Sequence, residues 1–182
     1  MKSFNDIRIL GPNFLFVSGN GKNIGKTFLS CSIIKKFSIS YDVTGIKISP
    51  HFHINSIEGI EPENRFFMEK EYRNDGFKDS SKMFVSGAAN VYYIETTDIA
   101  LKKNINQIID MTDGNPVVCE SGAITNIINP GISIYIEDSE KKEVKNEEVK
   151  NKADIILEFK DGKVYFDMLK LDFKKGRWLY KL

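Results

Sequence analysis

Residues 17–27, Val-Ser-Gly-Asn-Gly-Lys-Asn-Ile-Gly-Lys-Thr, constrain this chain more than any other stretch. An apolar run (13–17) precedes them, and residues 28–37 follow with apolar side chains at helical spacing. A strand, a glycine-rich turn, Gly-Lys-Thr and a helix, in that order, are the ingredients of a phosphate-binding P-loop. Glycines let the backbone curl so that successive N–H groups point into one concavity, which an anion fills. A helix starting near Gly25 aims its unpaired N–H groups and positive dipole end at the same anion. The predicted cradle comprises Gly19, Asn20, Gly21, Lys22, Asn23, Ile24, Gly25, Lys26, Thr27 and Phe28. Within it, the Lys26 ammonium is expected to reach the terminal phosphates and the Thr27 hydroxyl to coordinate Mg²⁺. The spacing departs from GxxxxGK[ST]. Asn20 stands where the first glycine belongs, and five residues separate Gly19 from Gly25.

The 182 residues are long enough to bury a core and are read as a single domain over 1–182, with a core at about 13–136. A net charge of +1 gives no whole-molecule reason to expect nucleic acid or an anionic membrane as partner. Cys31 and Cys119 both lie in apolar runs and read as buried free thiols in a reducing compartment. No apolar run approaches membrane-spanning length and no signal peptide is evident, so a cytoplasmic location is expected.

Taken in order, residues 13–18 are expected to form the first buried strand, 25–37 the first helix and 41–49 a second strand. A polar, irregular stretch follows, and 54–76 is predicted to be a mobile loop or lid that closes over ligand. Residues 79–86 read as a short helix with Asp79 as its N-cap and Gly87 ending it. Residues 90–95 form a third strand. An amphipathic helix over 98–111 turns Ile99, Leu101, Ile105, Ile108 and Ile109 inward. Residues 117–120 make a short buried strand ending in an acid. A helical turn over 121–128 is stopped by Asn129-Pro130-Gly131, and 132–136 is another strand. The charged run 138–152 is expected to be an exposed excursion, and 153–182 a hairpin turning at Asp161-Gly162 followed by an edge tail. This alternation predicts an α/β fold: a mostly parallel sheet with helices on both faces, in the three-layer P-loop NTPase manner, plus a C-terminal β-hairpin.

Ligands in such sheets bind outside the carboxyl ends of the strands. Glu120 ends an apolar strand on that edge, where its carboxylate could hold Mg²⁺ beside Thr27. Lys47 holds the corresponding place on the second strand, where an ammonium neutralises a phosphoryl group or a substrate anion. Lys26, Lys47 and Glu120 are the predicted catalytic set. His51 and His53, two apart, fall on one side of an extended chain and are candidate substrate contacts, as is Asp79. The alternative for the histidines is an ordinary solvent-facing loop, and there is no third histidine to complete a zinc set. Asn151-Lys152-Ala153-Asp154 spells the guanine signature of GTPases, but it precedes an apolar run instead of following one and is read as coincidence.

The 19–27 loop resembles that of dethiobiotin synthetases, which also place five residues between these glycines. Residues 45–50 (Gly-Ile-Lys-Ile-Ser-Pro) resemble the segment that supplies that family's substrate-binding lysine. Residues 119–123 (Cys-Glu-Ser-Gly-Ala) resemble the segment that supplies its Mg²⁺-binding glutamate. Residues 47–53, 78–81, 86–88 and Glu120 are similar to the small GTP-binding protein of molybdopterin-guanine dinucleotide biosynthesis. The resemblance implies Mg²⁺ with ATP or GTP, a small anionic substrate, and a homodimer with ligands near the subunit interface. Lys47 is not followed directly by proline and Ala123 not by a second glycine, so the vitamin substrate does not carry over. Three readings stay open: phosphoryl transfer to a small acceptor or hydrolysis; a nucleotide-dependent adaptor that binds a partner enzyme; and a scaffold with a degenerate loop.

Overall fold

The apolar run before the glycine-rich loop becomes β1 (Ile9–Gly19), in which Phe14, Leu15, Phe16 and Val17 are completely buried. The computed structural model describes residues 8–52, 59–140 and 147–181. After the loop the chain forms α1 (Lys26–Phe37), β2 (Thr44–Ser49), β3 (Phe66–Lys70), α2 (Asp79–Val85) and β4 (Asn90–Thr96). Next come α3 (Asp98–Lys103), α4 (Ile105–Asp110), β5 (Val117–Glu120) and β6 (Ile128–Glu137). The remainder is α5 (Glu147–Asn151), β7 (Ile155–Lys160), β8 (Lys163–Val164), β9 (Leu171–Lys174) and β10 (Arg177–Tyr180).

Eight strands make one sheet in the order β3-β4-β2-β5-β1-β6-β7-β8. The six central strands run parallel, and only the edge strands β3 and β8 run antiparallel to their neighbours. Alternation along β1 divides the core in two. Leu15 and Val17 face Leu29, Ile33 and Ile34 of α1, whereas Phe14 and Phe16 face Leu101, Ile105 and Ile108 of α3 and α4. A sheet covered on both sides must be apolar on both, which is why its central strands read as unbroken apolar runs.

Several elements differ from the sequence expectation, each for a local reason. The stretch predicted as loop 54–76 contains β3, which pairs with β4 over five residues and packs Phe66 and Met68 against the α3–α4 side. The single helix expected over 98–111 is two. It breaks at Asn104, whose N–H is shared between the carbonyls of Ala100 and Leu101 while its side-chain amide donates to Ala100 at 2.8 Å. Ile99 consequently sits outside, 57% exposed.

Asp79 is not a cap but the first helical residue of α2. Lys78 occupies the cap position, and the Ser81 hydroxyl reaches back to accept from its N–H at 3.0 Å. Gly87 ends that helix as expected, at φ +101. Asn129-Pro130-Gly131 does not stop the chain but lies inside β6, which begins at Ile128. A register shift in the pairing with β1 absorbs the proline, and a Cβ on Gly131 would come within 2.2 Å of the Pro12 carbonyl.

At the C-terminal end, β7 and β8 turn at Asp161-Gly162 with both φ positive, as the type I′ hairpin signal requires. β8 is only two residues long. The tail forms a separate antiparallel ribbon, β9–β10, instead of an edge element. Trp178 of that ribbon is buried against Phe37 and Phe173, and its indole N–H donates to the carbonyls of Asn13 at 2.8 Å and Val117 at 3.2 Å. No described helix is long and apolar enough to cross a membrane.

Candidate functional site

The carboxyl ends of β1, β2, β4 and β5 open onto a cleft of about 990 Å³. Its floor is the glycine-rich loop. Gly19 ends β1 against β6 so closely that a Cβ there would lie 2.3 Å from the Ile136 carbonyl oxygen. Gly25, at φ +85, starts α1 from the left-handed region, and its carbonyl accepts the first helical hydrogen bond, from Leu29 N–H at 2.9 Å. Asn23 also adopts a positive φ of 60. Two left-handed residues within three positions curl the backbone around the head of the helix.

The loop residues divide by role. Gly19, Asn20, Gly21, Lys22 and Lys26 line the cleft. Ile24 does not: it is buried in the core with Leu29 and Ile33. Phe28 points away from the sheet and is 71% exposed, so its side chain makes no part of the cradle. Asn20 is buried by a structural task. Its side-chain amide donates to the Asp138 carbonyl at 3.0 Å, and its oxygen accepts from the Asp138 N–H at 3.0 Å. This two-bond staple joins the loop to the end of β6 and explains an asparagine where the commoner spacing puts glycine.

Lys26 lies in the first turn of α1, with its ammonium donating to the Gly21 carbonyl across the loop. The next residue begins a polar cluster. Thr27 Oγ1 donates to Glu120 Oε2 at 2.8 Å, and Lys47 Nζ donates to Glu120 Oε1 at 2.5 Å and sits 3.2 Å from Asp79 Oδ2. The parallel register puts Val17, Glu120 and Lys47 side by side on β1, β5 and β2, and α2 delivers Asp79 from above. Glu120 is 3% exposed, Lys47 19% and Asp79 38%, so the cluster runs from the core out to the rim. Burial by itself would favour the neutral amine of Lys47, but attraction to Glu120 and Asp79 outweighs it and holds the ammonium above its ordinary pKa. For Asp79 burial likewise opposes ionisation, and Lys47 overcomes it, leaving the carboxyl below its usual range.

A second acidic cluster stands behind this one, where the chain passes from β3 to α2. Glu71 is 2% exposed. It accepts from the backbone N–H of Tyr72 (3.1 Å) and Arg73 (2.9 Å), from Arg73 Nε (2.7 Å) and Nη2 (2.8 Å), and from Ser80 Oγ (2.7 Å). The Arg73 fork, foremost among these donors, takes its pKa down to about 2. The sequence reading missed Glu71. Its only signal was an acid two residues before an arginine in an otherwise polar stretch.

His51 lines the outer edge of the cleft and is exposed, its N–H bonded to Ser49 Oγ at 3.1 Å; His53 lies outside the described residues. Asn151 to Asp154 sits at the opening of β7. The Asp154 carboxylate there binds the Ser133 N–H and hydroxyl, each at 2.7 Å, so it serves strand pairing. Glu147, Glu148 and Val149 of α5 line the cleft, which brings part of the charged excursion to the site instead of leaving it all in solvent. Cys119 is fully buried, which raises its thiol pKa, and Cys31 is half-buried.

No family model, curated protein or solved structure matches this chain.

Proposed function

We propose that the chain is a Mg²⁺-dependent ATP- or GTP-binding protein with the three-layer P-loop NTPase fold, which transfers a phosphoryl group to a small anionic acceptor or hydrolyses it. The observation that carries this reading is the Thr27–Glu120 contact of 2.8 Å at the head of α1, beside the curled loop and Lys26. A glycine-rich turn that merely capped a helix would need neither the buried carboxylate nor the two lysines.

The donors fit Mg²⁺. Thr27, Glu120 and Asp79 offer a hydroxyl and two carboxylates, all hard oxygens, and Mg²⁺ is typically held by one or two carboxylates with phosphate and water completing its shell. Among the described residues no three His, Cys, Asp or Glu converge, which suits a metal that arrives with phosphate better than one caged by protein alone. Bound there, Mg²⁺ would supply charge neutralisation at the phosphate oxygens. The chain's own part is positional. Loop N–H groups and the α1 terminus orient the phosphates, Lys26 turns from the Gly21 carbonyl to them, and Lys47 neutralises charge at the γ-phosphoryl end.

Thermal unfolding of wild type and Lys26→Ala with ATP and with GTP, each with and without Mg²⁺, tests this. Ligand at a hundred times its dissociation constant stabilises a fold by about 2.7 kcal/mol. A Mg²⁺-dependent rise in midpoint that disappears in Lys26→Ala is expected. No rise with either nucleotide overturns the reading.

A further inference from the structure

Lys47 already occupies the place of a cation. Its ammonium lies between Glu120 Oε1 at 2.5 Å and Asp79 Oδ2 at 3.2 Å, while Thr27 Oγ1 donates to the remaining Glu120 oxygen at 2.8 Å. The oxygens that would receive Mg²⁺ therefore answer to positive charge and a hydroxyl proton of the chain itself. An ammonium and a divalent cation cannot share two carboxylates without strong mutual repulsion at these separations. Lysine suits exchange better than arginine does: it is a compact charge on a flexible stem, with no fixed fork to hold it in place. The exposure gradient gives it a way out, since Glu120 is closed in the sheet while Asp79 stands at the rim.

We propose that Lys47 and Mg²⁺ exchange at the Glu120–Asp79 pair. Without nucleotide the ammonium bridges the two carboxylates, offsets one of their two charges and excludes divalent metal. When Mg²⁺ enters with a nucleotide, the phosphates supply the negative charge that Lys47 gives up, and the ammonium moves toward them. Metal and nucleotide then bind cooperatively, each raising the affinity of the other by the same factor. The exchange deepens the phosphoryl-transfer reading and rests on it for its purpose, but its first step needs no nucleotide.

The test is binding of Mn²⁺, followed by its paramagnetic resonance, to the nucleotide-free full chain. Wild type is compared with Lys47→Met, Lys47→Gln, Lys47→Arg and the double variant Lys47→Met/Asp79→Asn. The exchange requires Lys47→Met or Lys47→Gln to bind Mn²⁺ at least tenfold more tightly than wild type, Lys47→Arg to show no gain, and the double variant to lose it. Two results overturn it: no gain in either neutral variant, or tight Mn²⁺ binding by nucleotide-free wild type itself. The second criterion holds even where a variant fails to fold, because Mn²⁺ binding by nucleotide-free wild type with a dissociation constant in the low micromolar range or below contradicts exclusion by itself. A Mn²⁺ gain in the variants with no nucleotide-dependent stabilisation of wild type would keep the exchange and remove the phosphoryl-transfer reading. The reverse pattern would do the opposite.

Discussion

Glu71 and Glu120 are both buried carboxylates on the same side of the sheet, yet they are satisfied in opposite ways. Glu71 is saturated by five donors, all from residues 72–80, four of them supplied by the two residues that follow it. Glu120 is held by two side chains from different elements, Thr27 on α1 and Lys47 on β2, beside an open cleft. A carboxylate saturated locally is a fastener: it ties the first turn of α2, and so Asp79, to the end of β3. On the proposed reading, a carboxylate held by distant groups that can each turn to a ligand is a reagent. Burial alone does not distinguish them, but the origin of the donors does.

Glu120→Gln separates the two most sharply. It should abolish the roughly 2.7 kcal/mol of Mg²⁺-nucleotide stabilisation expected near a hundredfold excess over the dissociation constant. The ligand-free midpoint should fall as well, because Lys47 loses a buried partner, so the deciding readout is the missing rise on adding Mg²⁺-nucleotide. A variant still stabilised by Mg²⁺-nucleotide would place Glu120 with the fasteners.

Glu71→Gln should also lower stability, by about 1–3 kcal/mol through the donors it leaves unsatisfied, but should spare nucleotide stabilisation. The pH dependence carries the same distinction. The Glu71 carboxyl is depressed from 4.5 to about 2, so its contribution is complete above about pH 4.5 and is lost as the pH falls toward 2. Acid unfolding of Glu71→Gln should be flatter over that window than that of wild type, and parallel curves would refute the assignment.

The smallest expected effect is that of Asn20→Ala. Loss of the staple to Asp138 should cost about 1 kcal/mol and reduce nucleotide stabilisation only in part. If Asn20→Ala removed nucleotide binding altogether, Asn20 would be a phosphate ligand and not a staple.

Much of this was legible in the sequence where one local signal sufficed. The loop, α1, β5 and the turn at Asp161-Gly162 stand where composition and spacing put them. Lys47 and Glu120 could be placed at neighbouring strand ends because parallel strands align their carboxyl edges. What the sequence hid depends on partners far along the chain. β3 carries Phe66, Phe67 and Met68, but they sit within a charged stretch, and only the pairing with β4 makes them a strand. Asn129-Pro130-Gly131 looks like a stop until a bulge in β1 is there to receive it. Asn20 looks like a flaw in a motif until Asp138, 118 residues on, is seen to need it.

The Trp178 anchor has a consequence for how the molecule is made. Its indole joins the carbonyls at the base of β1 and β5, and its partner Asn13 lies 165 residues upstream. On a chain emerging from the ribosome, the first strand can find its loop and helix early, but it waits for a residue 165 positions downstream of Asn13 before its lower end is sealed. The loop end of the sheet thus draws on residues from Val17 to Val149, whereas the opposite end is closed only by Trp178.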